Sequence, residues 1–130
     1  MASILIVDDN AVLRRVISLT LRKAGHTLLA AADAAEAMQQ LAETPVDLML
    51  LDVAMPETSG LTLLRRLRMD ARYRDLPIVM LTASGQDEDR LIACAEGAND
   101  FLTKPASSAE LVETVRRLLP APASRQQETA

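Results

Sequence analysis

The sequence predicts an α/β protein in which five repeats of strand then helix build a parallel sheet with helices on both faces. Two observations carry this expectation. Three short apolar runs, at residues 4–7, 48–51 and 78–81, show no in–out alternation, as strands buried on both faces require. Between and after them, apolar residues recur at helical spacing, and Gly or Pro marks most changes of period.

The elements follow in order. The run Ile4-Leu-Ile-Val7 is closed by Asp8 and Asp9. Leu13, Val16, Ile17, Thr20 and Leu21 mark one face of the first helix, which Gly25 ends. Residues 27–31 form a weaker strand. Asp33 followed by Glu36 has the form of a capping box, opening a helix with Ala37, Met38 and Leu41 inward, and Pro45 closes that connection. The run at 48–51 stops at Asp52, and Pro56 and Gly60 punctuate a loop before a helix over about 61–69. Pro77 leads into the third run, which ends in Thr82. Residues 87–96 read as a helix with Leu91, Ile92 and Ala95 inward, stopped by Gly97. Residues 100–103 are a short strand ending in Lys104-Pro105. Ser107 and Glu110 repeat the capping-box pattern, and Leu111, Val112, Val115, Leu118 and Leu119 follow at helical spacing until Pro120. The expected organisation is one domain over 1–119 and a short flexible tail over 120–130, which is polar and small in composition.

At 130 residues, 49% of them apolar and 25% charged, the chain fits one globular domain. Its only aromatics are Tyr73 and Phe101, so Leu, Val, Ile, Met and Ala must fill the core. A net charge of −4 argues against nucleic-acid binding as the main role. The arginines at 65, 66, 68, 72 and 74 read as a solvated face. Cys94 is alone, which excludes a disulfide framework and a cysteine metal site. His26, the only histidine, lies apart from the polar strand ends, and the methionines at 38, 49, 55, 69 and 80 read as core or loop filler. No secretory signal or membrane-spanning run is visible, so a cytoplasmic location and no membrane partner are expected.

Function is legible where strands end. Asp8-Asp9, Asp52, Thr82 and Lys104 all fall at carboxyl ends, and in an open α/β sheet those ends share one edge. Three carboxylates and one ammonium sum to −2. A divalent cation restores neutrality, and an all-oxygen donor set favours Mg²⁺ over softer metals. Such a set suits phosphoryl transfer, in which positioning and charge neutralisation do most of the catalysis.

With those residues in place, the chain resembles a response-regulator receiver domain over about residues 3–119. The resemblance rests on Asp8-Asp9, on Asp52 with Met55-Pro56 and Gly60 behind it, on Thr82-Ala83, and on Lys104-Pro105, each at its own strand end. It implies a flavodoxin-like, doubly wound (βα)5 fold with strand order 2-1-3-4-5. It also implies that Asp52 takes a phosphoryl group from a phosphohistidine on a sensor histidine kinase or histidine phosphotransfer protein. Asp9 and Asp52 would ligate Mg²⁺, with Asp8 acting through water and the Ala54 carbonyl as a backbone ligand. Thr82 and Lys104 would each bond a phosphoryl oxygen, and Phe101 would rotate into space that Thr82 vacates. A cis Lys104-Pro105 bond is expected, as only proline tolerates it readily. The family tunes phosphate lifetime two residues beyond Asp52 and Thr82. Here those positions are Ala54 and Ser84, neither able to activate water strongly, so slow self-dephosphorylation is expected. Phe101 lacks a hydroxyl, which removes any partner contact that needs tyrosine there.

The expected function is therefore a single-domain switch that is not an enzyme on external substrates. The kinase side would dock near Leu13 and Pro105. A target protein, or a second copy after phosphorylation, would use the fourth helix, fifth strand and fifth helix. The alternative is a receiver-like binding module that ignores phosphate. An aspartyl-phosphate phosphatase of the haloacid-dehalogenase kind needs a second Asp at position 54, where Ala stands. A flavodoxin would place its cofactor phosphate against Asp8 and Asp9, which repel it. No P-loop or dinucleotide fingerprint occurs.

Overall fold

The computed structural model describes residues 2–55, 58–82, 95–104 and 106–119. The strands are β1 (Ser3–Val7), β2 (Thr27–Ala31), β3 (Leu48–Asp52), β4 (Ile78–Thr82) and β5 (Asp100–Thr103). The helices are α1 (Ala11–Lys23), α2 (Ala34–Glu43), α3 (Gly60–Met69) and the C-terminal helix (Ser108–Leu118). Most of the predicted helix at 87–96, with Cys94, and the tail beyond 119 lie outside the described residues.

All strand pairs are parallel and the order is β2-β1-β3-β4-β5, as expected. Chain direction across the sheet reverses between β1 and β3, and the crevice above such a reversal is where α/β sheets place their sites. β3 and β4 are buried at every position, which is why their sequences show no alternation. Leu5, Val7, Met49, Leu51, Met80 and Phe101 share one core layer with α2 and α3. Ile4, Ile6, Leu48, Leu50, Val79 and Leu81 share the opposite layer with α1 and the C-terminal helix. The pleat sends alternate residues to each layer, so every core strand serves both.

Local chemistry sets the helix ends. Asn10 caps α1 by accepting from the Leu13 N–H, and Asp33 caps α2 by accepting from the Glu36 N–H. Ser59 caps α3, which starts at Gly60. Ser107 and Glu110 form the full reciprocal capping box. α1 ends in a Schellman pattern: the Gly25 N–H donates to the Arg22 carbonyl, the His26 N–H donates to that of Leu21, and Gly25 takes a φ of 98°.

Three expectations need correction. Val16 is 52% exposed, while Ile17, Leu21 and Ser18 turn inward, because the true inward line of α1 runs Leu13-Ile17-Leu21 and Val16 falls to its edge. Met69 is 88% exposed and fills no core. Arg68 is not a solvated side chain. It donates to the carbonyls of Gly97, Tyr73 and Arg74 and to Oδ1 of Asn99, and that same Oδ1 accepts the Ile78 N–H. Burial lowers its pKa despite the nearby Asp75 charge. Arg68 therefore ties α3 to the segments that lead into β4 and β5.

Candidate functional site

The carboxyl ends of β1, β3, β4 and β5 bring Asp8, Asp52, Thr82 and Lys104 to one edge. Backbone bonds hold that edge: the Asp8 N–H donates to the Ala31 carbonyl, the Val53 N–H to Leu81, and the Lys104 N–H to Thr82. Asp8, Asp52 and Thr82 are buried, Lys104 is half-buried and Asp9 is exposed.

Lys104 links the carboxylates. Its Nζ lies 2.7 Å from Oδ2 of Asp8 and 3.0 Å from Oδ1 of Asp52. The Ala54 N–H also donates to Oδ1 of Asp52, at 3.2 Å. Burial and then the Asp8 charge push the Asp52 pKa up, against the opposing Lys104 bond and the Ala54 N–H. Burial works against the ammonium of Lys104, yet its bonds to Asp8 and Asp52 win and its pKa is raised. The site thus holds a reluctant carboxylate beside a firmly charged lysine.

A cation fits this edge. One carboxylate oxygen from each of Asp8, Asp9 and Asp52 falls within 4.8 Å of the others. Oδ2 of Asp8 is fully buried and faces the Lys104 ammonium at 2.7 Å as its ion-pair partner. One lysine against three carboxylates leaves this edge net negative, and a cation bound there would offset that charge. The oxygen-only donor set suits a hard cation.

Asp8 also makes the local turn bond that a purely structural reading of Asp8-Asp9 supposes. Its Oδ1 accepts the Asn10 N–H at 2.9 Å, one residue before α1. The turn and the acidic site use different oxygens of one side chain. Phe101 is buried within the α2–α3 core layer, and Leu13 is half-buried on α1. Pro56, Ala83, Ser84 and Pro105, with the proposed cis bond, fall outside the described residues.

One contributor escaped the sequence reading. Nη1 of Arg14 donates to the Asp8 carbonyl at 2.6 Å. A cap at Asn10 puts Arg14 one turn into α1, on the end facing the site, and that spacing was the available signal. Gly60, part of the motif behind Asp52, donates its N–H to the Val53 carbonyl and packs directly on the Asp52 backbone.

A five-stranded receiver-type sheet with an aspartate-lysine cluster at its switch-point edge defines the class. The chain belongs to the response regulator receiver domain family, whose profile matches residues 4–116. It is 41% identical over 117 residues to the phosphate regulon transcriptional regulatory protein PhoB of Pseudomonas aeruginosa, covering 90% of this chain and 51% of that protein. The chain thus spans about half the length of such curated relatives. Among solved structures it is similar to the chemotaxis response regulator CheY4 of Vibrio cholerae, with a TM-score of 0.86, 35% identity, and 92% and 99% of the two chains covered. It is also similar to the response regulator TrrA of Thermotoga maritima, solved in complex with Mg²⁺-BeF, with a TM-score of 0.81, 31% identity, and 92% and 100% covered. No helix among the described residues is long and apolar enough to cross a membrane.

Proposed function

We propose that Asp52 accepts a phosphoryl group from a partner phosphohistidine and that the resulting acyl phosphate switches the surface used for protein–protein signalling. The observation that carries this is the placement of Asp52, buried at the end of β3, within reach of the Lys104 ammonium and of the Asp8 and Asp9 carboxylates. A carboxylate oxygen attacks phosphorus, the N–P bond breaks, and the electron pair returns to the imidazole. A carboxylate of −1 becomes a group of roughly −2. Lys104, already on Oδ1 of Asp52, pairs with the added charge, and Thr82 bonds another phosphoryl oxygen. Phe101, next to them on β5, follows Thr82.

Asp8, Asp9 and Asp52 with the Ala54 carbonyl are the residues that would hold Mg²⁺. Bound there, Mg²⁺ supplies charge neutralisation for the phosphoryl oxygens. Ala54 is exposed beside Asp52 and offers no side chain to direct water, which favours a long-lived phosphate; Ser84 is the matching position after β4. The partners are a sensor histidine kinase or phosphotransfer protein on the α1 side near Leu13 and Pro105, and a target or second copy on the face that includes β5 and the C-terminal helix. The domain acts on no other substrate.

Intact-mass spectrometry after incubation with acetyl phosphate tests this, with and without Mg²⁺, on wild type and Asp52→Asn. One phosphoryl adduct that needs both Mg²⁺ and Asp52 is expected. No adduct under any condition, with beryllofluoride also failing to bind, refutes it and leaves a phosphate-independent binding module.

A further inference from the structure

We propose that Arg14 is a positioning residue of this site, acting through the main chain of Asp8; the inference rests on the Mg²⁺-dependent acceptor reading above. Three side-chain bonds close the β1–α1 connection into a ring. Oδ1 of Asp8 accepts the Asn10 N–H at 2.9 Å, Oδ1 of Asn10 accepts the Leu13 N–H at 3.1 Å, and Nη1 of Arg14 donates to the Asp8 carbonyl at 2.6 Å. The Asp8 N–H is meanwhile held by the Ala31 carbonyl, so both main-chain polar groups of Asp8 are pinned. Asp9 lies inside this ring and is exposed, so the backbone of the turn sets where its carboxylate stands. Arg14 supplies the only charged donor among these bonds. A charge-assisted bond is the stronger kind, and it joins the first turn of α1 to the strand end that carries the acidic pair.

Two effects of removing Arg14 oppose each other, which makes the sign of the outcome decisive. A guanidinium on the Asp8 carbonyl repels a second cation brought to the same turn, so losing its charge alone tightens Mg²⁺ binding. Losing its grip on the turn loosens the Asp8–Asp9 pair and weakens binding. Residues that orient metal ligands typically contribute about 10- to 100-fold in affinity.

The test is isothermal titration calorimetry with MgCl₂ and no phosphodonor, on wild type, Arg14→Gln and Arg14→Ala, with circular dichroism in EDTA to check folding. The expected result is a dissociation constant for Mg²⁺ raised about tenfold in whichever neutral variant folds. The rate of modification by acetyl phosphate then returns close to wild type at saturating Mg²⁺. Unchanged or tighter Mg²⁺ binding overturns the proposal, as does a lost maximal rate with unchanged Mg²⁺ affinity. A wild type that binds no Mg²⁺ refutes the acceptor reading itself, and the proposal with it.

Discussion

Gly60→Ala tests how the acidic site is held. A Cβ at position 60 would sit 1.9 Å from the Asp52 carbonyl oxygen, 2.8 Å from its carbonyl carbon and 3.0 Å from Cα of Val53. All three are main-chain atoms, so no side chain can swing away. Restoring a tolerable contact needs a relative shift of about 1.3 Å between the start of α3 and the end of β3. Overpacking of this kind costs about 1–3 kcal/mol, and rigid backbone on both sides argues for the upper end. The better helix propensity of Ala returns at most about 1 kcal/mol. The expected net loss is therefore about 2 kcal/mol, read as a lower urea midpoint by far-UV circular dichroism at unchanged slope. The same shift moves Asp52, and misplacing a reacting group by about 1 Å costs on the order of 100-fold in rate. Uptake from acetyl phosphate, followed by intact mass, should slow by about that factor. Gly25→Ala is the control: it meets no atom within 4 Å but needs a φ of 98°, so it should lose stability and keep the rate. Wild-type stability and rate in Gly60→Ala would refute the reasoning.

Asp52→Asn should melt higher than wild type at pH 7 in EDTA. The folded pKa of Asp52 is raised, so its contribution falls as pH climbs from the unfolded value of 3.8 through the folded one; below that window the two proteins should converge, and Mg²⁺ should stabilise only the wild type. Lys104→Ala leaves the fully buried Asp8 carboxylate without its cation and should cost about 3 kcal/mol in EDTA, with Mg²⁺ restoring part of the loss in thermal unfolding. Arg68→Ala removes four hydrogen bonds, although the Tyr73 carbonyl keeps the Leu76 N–H and Oδ1 of Asn99 keeps the Ile78 N–H; it should cost about 1–3 kcal/mol in urea unfolding, while the initial rate of phosphoryl uptake stays near wild type because Arg68 contacts none of Asp8, Asp52 or Lys104.

Within the described residues the element order was legible in the sequence, because strand burial, helix period and the Gly, Pro and Ser breaks are local signals. Leu48 to Leu51 reads as a doubly buried strand from composition alone, and Asp52 reads as its polar end. That Asp8, Asp9, Asp52, Thr82 and Lys104 meet also follows locally, since parallel strands share one carboxyl edge. The strand order came from resemblance to a family, because apolar runs carry no record of which neighbour they pair with. Tertiary structure alone decided the rest. The rotation of α1 about its axis sent Val16 outward and aimed Arg14 at the Asp8 carbonyl. The approach of α3 to β3 left no room for a side chain at Gly60. Arg68 found its acceptors as far as 31 residues along the chain, and Lys104 found Asp8 and Asp52 at strand ends from the other half of the sequence. These contacts depend on distances of closest approach between elements, which side-chain volumes across the whole core fix together and no single segment encodes.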